Sequence, residues 1–318
     1  RKLYRFLIEP LEGYLDGVKT LHIIPHGALA FLPFETLVLP DGRYLVEKYD
    51  VQYLPSLTVG KILRERNYPG SREPMLAFGG AVYAEDRYER DMAAVRKELE
   101  HIEKEASAAA ESGRSTRSAY GRLGLMRWSN LPGTLEEVAQ IRKIIPGSVV
   151  YTGSKVSEPF VKRLSRTGEL ARYRVLHFAT HGIVVPEIPD LSAVVLSLSK
   201  SDTGQEDGFL NAGEILDLEL GSDFVNLSAC ETGLGRLVQG EGVVGLTQSF
   251  LVAGTKGISV SLWQVSDVST AEFMTGLYKE ARRDGDYVRA MNEMKRRFIE
   301  DPRLHAPFYW APFVYYGR

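Results

Sequence analysis

Two nearly continuous apolar segments constrain the fold of this chain more than any other feature. They read YRVLHFAT at 173–180 and DFVNLSA at 223–229. A strand with one face in water alternates apolar and polar residues, whereas a strand of a parallel sheet is covered on both faces and shows a continuous apolar run. The two segments therefore predict a mostly parallel sheet inside an α/β protein, with helices flanking it on both faces.

The rest of the chain alternates in the same way between short apolar runs and longer amphipathic runs. Short runs predict strands and longer ones predict helices. The predicted strands are Thr20–Ile24, Tyr44–Leu54, Met75–Phe78, Ser148–Tyr151, Arg174–Ala179, Val194–Leu198, Asp223–Ser228, Gly257–Leu262 and Phe313–Tyr316. The predicted helices cover 3–16, 57–66, 86–112, 135–144, 158–165, 241–252 and two stretches within 269–300.

One turn-rich segment, Asn67–Pro74, predicts a domain boundary. It separates a smaller N-terminal half, residues 1–70, from a larger domain, residues 71–318. Within the larger domain the polar stretch 113–130 shows no clear period and is predicted to be a mobile loop. The chain opens RKLYR without Met, so we expect it to be a piece of a longer or processed protein.

Composition excludes several classes of protein. A net charge of −2 gives no general attraction to nucleic acids or acidic membranes. No apolar run approaches the ~20 residues that span a bilayer, and no signal peptide precedes the first strand. A single cysteine excludes an internal disulfide framework and a multi-cysteine zinc site. We therefore expect a cytoplasmic protein without a metal, without a cofactor and without direct binding to nucleic acid or membrane.

Reactive residues follow both of the constraining segments. His181 and Gly182 come after the first and Cys230 after the second, a separation of 230 − 181 = 49 residues. Caspases carry their histidine ~50 residues before their cysteine. An imidazole can take the thiol proton and later protonate the leaving amine. The pattern predicts a peptidase with His181 as general base, Cys230 as nucleophile, and the N–H groups of Gly182 and Cys230 as oxyanion donors.

Simpler interpretations exist for each residue alone. An isolated cysteine is most often a buried core residue, and a histidine at a strand end often bonds only to backbone. Cys230 is followed by the polar turn Glu-Thr-Gly-Leu-Gly, which together with the spacing favours the dyad. His177, on the same predicted strand, is interpreted as a core or supporting residue.

A second motif points to another class of protein. Gly240, Gly242 and Gly245 satisfy the dinucleotide-binding fingerprint, and Asp267 lies 267 − 245 = 22 residues further on. That fingerprint needs a strand that runs directly into the first glycine. Here the segment 234–239 intervenes, so we interpret the glycines as the start of a tightly packed helix. A dinucleotide-binding α/β protein remains an alternative.

These motifs resemble the CHAT peptidases, which are relatives of caspases, separases, clostripain and gingipain. The residues that carry the resemblance are Ile24-Pro25, Leu32–Leu37, Tyr53–Ser56, Leu131–Val138, His177–Gly182, Leu227–Gly233, Gly240–Gly242, Ser261–Asp267 and Phe308–Phe313. The resemblance implies a caspase-like fold over nearly the whole chain. It makes 71–318 the catalytic domain and 1–70 a pseudo-caspase-like N-terminal half of the CHAT region. The stretch 86–130 is longer than the family pattern leads one to expect.

The resemblance also implies a substrate-binding segment. Ser261, Leu262, Trp263, Gln264 and Val265 would pair as an edge with an extended peptide, which is a common mode of peptide recognition. Trp263 would flank one pocket, or else simply pack in the core. A similar acid in separases binds an arginine before the cleaved bond, so Asp267 predicts cleavage after Arg or, less well, Lys. Asp267 could instead cap the following helix, and Leu or Met would then be the alternative preference.

Control by another region is a further implication of the resemblance, because CHAT domains are usually fused behind repeats or sensors. We expect an N-terminal repeat or sensor region, or an activating partner, and a protein substrate, with a role in bacterial defence or signalling. The isolated chain should have low activity until loops near 201–209 and 231–239 are ordered. A catalytically silent interaction module with the same fold is the alternative.

Overall fold

The computed structural model describes residues 1–83, 120, 128, 130–185, 188–197, 206–228, 241–263, 265 and 267–318. Eleven strands form two sheets within these residues. The strands are β1 Thr20–Ile23, β2 Asp50–Tyr53, β3 Glu73–Gly79, β4 Val149–Thr152, β5 Tyr173–Ala179, β6 His181–Ile183, β7 Ala193–Val195, β8 Phe209–Asn211, β9 Phe224–Leu227, β10 Gly257–Ser261 and β11 Phe313–Gly317.

The larger sheet has eight strands in the order β1-β2-β11-β10-β9-β5-β3-β4. Strands β4, β3, β5, β9 and β10 are parallel to one another, and β11, β2 and β1 form a second parallel group. The two groups meet at the antiparallel pair of β10 and β11. Residues of the N-terminal half thus extend the sheet that contains β5 and β9, and the boundary near residue 70 stays a prediction.

Helices cover both faces of this sheet. They are α1 Lys2–Leu7, α2 Leu45–Lys48, α3 Leu57–Glu65, α4 Pro132–Ile144, α5 Glu158–Arg166, α6 Ala212–Leu216, α7 Glu241–Ala253, α8 Asp267–Ala281, α9 Tyr287–Glu300 and α10 Pro307–Trp310. Short 3-10 helices cover Glu9–Tyr14, Gly27–Phe31, Phe34–Thr36, Gly153–Lys155, Leu170–Arg172 and Pro189–Leu191. The predicted α/β class, with a mostly parallel sheet between two helical layers, is confirmed.

Alternate residues of each central strand enter two separate apolar cores, as the period of a strand requires. On β5, Leu176 and Phe178 join the core beneath α5 and α7. Val175 and Ala179 join the opposite core, beneath α4, α8 and α9. Both faces of β5 are therefore dry, which is the condition that its continuous apolar sequence predicts.

Helix α4 packs closely on the end of β3. A Cβ added to Gly79 would lie 2.7 Å from Val138 Cγ1 and 2.8 Å from the Thr134 carbonyl oxygen. Only a glycine permits this approach, because a real side chain there would push the helix away. The close packing brings side chains of α4 near the ends of β5 and β9.

The smaller sheet has the order β6-β7-β8 and is antiparallel. Strand β6 begins at His181, directly after β5 ends, and pairs with β7 from His181↔Val195 to Ile183↔Ala193. The chain therefore leaves the large sheet and enters the small one at the position of the predicted base.

One predicted strand, Tyr44–Leu54, needs correction, and a predicted helix and a predicted loop fall largely outside the described residues. Tyr44–Leu54 is not one continuous strand, because Leu45–Lys48 forms helix α2 before β2 begins. The Tyr44 N–H donates to Glu47 Oε2 over 2.6 Å, which favours a helical turn at this point. The predicted helix 86–112 lies outside the described residues, as does the loop 113–130 apart from Tyr120, Trp128 and Asn130.

Candidate active site

The two strands that precede the predicted dyad are direct neighbours. Strand β5 pairs with β9 from Val175↔Phe224 to Phe178↔Leu227, and the Ser228 N–H donates to the Phe178 carbonyl over 2.9 Å. Parallel strands end at the same edge of a sheet, where ligands bind in open α/β folds. Cys230 itself lies outside the described residues, so its contact with His181 stays a prediction.

His181 is buried, with 2% of its surface exposed. Its ring lies 4.8 Å from the Trp128 ring and 4.9 Å from the Tyr83 ring, measured between centroids. The Tyr83 hydroxyl accepts a bond from the His181 N–H and donates one to the Val195 carbonyl. Two aromatic side chains thus close the imidazole off from solvent, and neither was singled out from the sequence.

Gly182 lies in the middle of β6, opposite Val194 of β7, and is buried. The predicted second oxyanion donor, the Cys230 N–H, falls outside the described residues. The assignment of the two oxyanion donors therefore stays a prediction.

A row of polar side chains crosses the sheet just below this edge. His177 of β5, Asn226 of β9 and Ser259 of β10 occupy paired positions on three adjacent strands. All three are essentially unexposed. Ser259 Oγ donates to Asn226 Oδ1, and Asn226 Nδ2 lies 3.0 Å from His177 Nδ1. This buried position agrees with the interpretation of His177 as a core or supporting residue.

A tyrosine from helix α8 completes the contacts of His177 Nδ1. The Tyr278 hydroxyl lies 2.9 Å from that nitrogen. Burial, with smaller contributions from Tyr287 and Glu137, raises the pKa of Tyr278 well above its ordinary value, so the phenol keeps its proton. Asn226 and Tyr278 thus both lie within hydrogen-bond distance of Nδ1.

Nε2 of His177 faces a buried carboxylate. It lies 3.2 Å from Glu137 Oε1 of helix α4, although its N–H direction is not aligned for a hydrogen bond. The same carboxylate oxygen accepts a hydrogen bond of 2.6 Å from Ser228 Oγ, at the end of β9. Glu137 therefore contacts both strands that lead into the predicted dyad.

The predicted substrate segment begins inside the large sheet. Ser261 is the last residue of β10 and pairs with Phe313 of β11. The Leu262 N–H donates to the Pro312 carbonyl over 2.9 Å. On the side of β11 the segment is thus paired through Leu262, and its substrate-binding role stays a prediction.

The structure describes the remaining residues of that segment to different extents. Trp263 is half-buried against both apolar cores, and its Nε1–H donates to the Phe308 carbonyl over 3.1 Å. Val265 is buried. Asp267 is the first residue of α8, but its side chain and Gln264 lie outside the described residues. The pocket, the core and the cap interpretations therefore remain open for these positions.

Comparison with sequence families decides what kind of domain this is. The family description "CHAT domain" matches residues 1–318.

The chain belongs to the CHAT domain family.

Curated relatives of this CHAT domain include tetratricopeptide repeat protein 28 of Homo sapiens, 23% identical over 359 residues, and that of Mus musculus, 24% identical over 360 residues. Each alignment covers 100% of this chain but 13% of the relative. The chain therefore spans about an eighth of the length of these relatives.

Solved structures similar to this CHAT domain include the Saccharomyces cerevisiae separase–securin complex, with a TM-score of 0.47, 13% identity, and coverage of 90% of this chain and 15% of that one. Gingipain R, described as an Arg specific cysteine proteinase, has a TM-score of 0.40 and 11% identity, with coverage of 85% and 54%.

No group of three or more His, Cys, Asp or Glu side chains in the described part of the chain is arranged to hold a metal ion. No described helix is long and apolar enough to span a membrane.

The sequence analysis did not single out Glu137, whose carboxylate lies beneath the ends of β5 and β9. The motif Leu131–Val138 contributed to the family resemblance, but no role was given to its acids. A usable signal was present, because Thr134, Glu137, Val138 and Ile141 follow the i, i+3, i+4, i+7 spacing of a helix face that packs on a core. A glutamate within such a stripe must be buried.

Proposed function

We propose that this CHAT domain is a cysteine endopeptidase that cleaves protein substrates with a His181–Cys230 dyad. The paired strands carry the proposal. The last aligned residues of β5 and β9 are Phe178 and Leu227, and each predicted catalytic residue follows at the same distance, 181 − 178 = 3 and 230 − 227 = 3. Equal offsets from one register pair favour a juxtaposition of base and nucleophile at one edge.

The proposed chemistry uses a thiol that must lose its proton to react. His181 accepts the proton of Cys230, and the thiolate attacks the carbonyl carbon of the scissile peptide. The N–H groups of Gly182 and Cys230 stabilise the oxyanion, and His181 returns the proton to the leaving amine. Water, deprotonated by His181, then hydrolyses the thioester and regenerates the thiol.

The burial of His181 supports the proposal that another region or a partner controls this activity. A general base must come within hydrogen-bond reach of the nucleophile and leaving group, yet Trp128 and Tyr83 cover its ring. We propose that the isolated chain has low activity and that a repeat or sensor region, or a partner, opens the site. The curated relatives are named for tetratricopeptide repeats, which is consistent with such a region. A cytoplasmic role in defence or signalling belongs to the same proposal.

The proposed substrate is an extended protein segment with Arg, or less well Lys, before the cleaved bond. Asp267 would supply the carboxylate, because a guanidinium can bind a carboxylate through two parallel hydrogen bonds. A peptide-library profile of the wild type and of Asp267→Ala tests this preference. A wild-type preference for Leu or Met, or an unchanged Arg preference in the variant, assigns another role to Asp267.

The dyad is tested with Cys230→Ala, His181→Ala and the double variant. We expect each single change to abolish peptide hydrolysis while circular dichroism and the unfolding midpoint stay close to wild type. The two residues act as a unit, so the double variant should be little worse than either single one. An alkylating peptide probe should label wild-type Cys230 and should fail on Cys230→Ala.

Full turnover by Cys230→Ala contradicts the proposal. A chain that binds peptides but shows neither turnover nor labelling, even with its activating region present, points instead to a silent interaction module.

A further inference from the structure

The Glu137 carboxylate is a buried group that the proposed mechanism leaves without a role. Its side chain is 3% exposed, and it projects from α4 into the core that contains Val138 and Ile141. Removing a carboxylate from water is expensive, and an apolar residue of similar volume is often neutral or even stabilising at such a position. Stability of the fold alone therefore does not account for a glutamate here.

One contact of Glu137 reaches the strand that leads to the nucleophile. Ser228 Oγ donates to Glu137 Oε1 over 2.6 Å, and Ser228 is 4% exposed. Ser228 lies 230 − 228 = 2 residues before Cys230. A charge-assisted hydrogen bond in a dry environment fixes the Ser228 side chain strongly, because no water competes for it.

The other contact reaches the strand that leads to the base. His177 Nε2 lies 3.2 Å from the same oxygen, and His177 is 181 − 177 = 4 residues before His181. Asn226 and Tyr278 hold the opposite ring nitrogen, so the imidazole has little freedom to turn. His177 Nε2 therefore faces the Glu137 carboxylate closely, without a well-aligned hydrogen bond to it.

The geometry points to Glu137 as a positioning residue for the dyad, and this inference rests on the proposed function. We propose that its carboxylate, held on the rigid helix α4, joins the ends of β5 and β9 through His177 and Ser228. It thereby sets the separation and direction at which the chain leaves the sheet toward His181 and Cys230. Small errors in such a separation matter, because a displacement of about 1 Å in a reacting group can cost roughly 100-fold in rate.

The test compares Glu137→Leu with Glu136→Leu, a matched change one residue away on an exposed position of the same helix. We expect Glu137→Leu to lower kcat about 10- to 100-fold with KM within about twofold of wild type. Glu137→Gln, which keeps an acceptor for Ser228, should recover part of the loss. Glu136→Leu should leave kcat and KM unchanged.

Two further readouts separate positioning from stability. The rate of Cys230 alkylation by iodoacetamide, measured against pH, reports how well the histidine activates the thiol. Glu137→Leu should flatten this profile while its unfolding midpoint stays near wild type. Ser228→Ala should reproduce part of the effect, and adding it to Glu137→Leu should cost little more, because both changes break one contact.

The outcomes distinguish this inference from the proposed function. If His181→Ala flattens the alkylation profile and Glu137→Leu does not, the positioning role is wrong and the dyad stands. If His181→Ala leaves the profile and turnover unchanged, the dyad itself is wrong. Loss of activity in Glu137→Leu that merely follows its unfolded fraction also overturns the positioning role.

Discussion

Two buried carboxylates in the same domain are held in opposite ways. Glu35, near β1 and β2, forms an ion pair with Lys295 of α9, and both side chains are 0% exposed. The Tyr53 hydroxyl also donates to Glu35 and accepts from the Phe34 N–H. Glu137, at the centre of the sheet, has no cation among its described contacts and bonds to Ser228 beside a misaligned His177.

The difference separates a structural contact from a functional one. Glu35 has its charge neutralised and its lone pairs occupied, so it fastens α9 to the N-terminal strands. Burial lowers the pKa of Lys295, and the neighbouring Glu35 opposes that shift. Glu137 instead contacts a serine hydroxyl and an imidazole on the two strands that lead to the proposed dyad. The comparison teaches that burial of an acid does not by itself reveal its role, whereas its partners do.

The largest expected effect comes from breaking the ion pair. Lys295→Met leaves the Glu35 charge buried without a partner, which should lower the free energy of unfolding by about 3–5 kcal/mol. Urea unfolding at neutral pH measures it. Adding Glu35→Gln to Lys295→Met should restore a large part of the loss. A loss below about 1 kcal/mol in the single variant would show that Glu35 is not a charged structural partner.

The corresponding change at the centre of the sheet should be milder for stability. Glu137→Gln keeps the volume and an acceptor for Ser228, so unfolding should change by about 1 kcal/mol, the scale of one hydrogen bond. The same urea titration provides the measurement. A loss as large as that of Lys295→Met would make the two carboxylates equivalent and remove the contrast between them.

The aromatic cover over His181 offers a third comparison. Trp128→Ala removes one of the two rings that shield the imidazole, so carbethoxylation of His181, followed by mass spectrometry, should become several-fold faster. Tyr83→Phe keeps its ring and loses the hydroxyl contacts with the His181 N–H and the Val195 carbonyl. It should therefore have a smaller effect on the modification rate. Equal rates of His181 modification in wild type and Trp128→Ala would contradict the shielding of His181 by Trp128.

The smallest effects are expected from two helix caps, one at the start of α3 in the N-terminal half and one at the start of α6 beside the small sheet. Ser56 Oγ accepts from the Val59 N–H at the start of α3, and Asn211 Oδ1 accepts from the Glu214 N–H at the start of α6. Either change to alanine should cost about 1 kcal/mol, measured by thermal unfolding. Only Asn211→Ala should also slow Cys230 alkylation, because Asn211 ends β8 in the sheet that contains His181. Equal alkylation rates would show that the small sheet does not support the base.

Much of this architecture is encoded locally. The strands β5 and β9 and the helices α5, α7 and α9 follow from apolar periodicity, since burial on two faces leaves little choice of residue. The helix predicted over 57–66 is observed as α3, with Ser56 capping its first turn. The helix inserted at Leu45–Lys48 was not predicted, because β-branched and aromatic neighbours favoured one long strand.

The candidate site was less accessible to such reasoning. His181 and its place after β5 follow from the sequence, but the rings over it do not. Trp128 lies 181 − 128 = 53 residues from His181, and nothing in its local sequence says which side chain it will meet. Glu136 and Glu137 are adjacent acids; helical spacing indicates which of the two is buried, but it does not say that Ser228 and His177 will be its partners.

The polar row across β5, β9 and β10 has a consequence for how the sheet assembles. Apolar strands tolerate sliding past one another, because one leucine or valine packs much like the next. A slip of one residue would turn His177 toward the opposite core, which contains Leu176 and Phe178. A slip of two would place Asn226 beside Val175 or Ala179, and its Nδ2 group would lose the contact with His177. The polar row therefore favours the observed register of β5 against β9, the two strands that lead to His181 and Cys230.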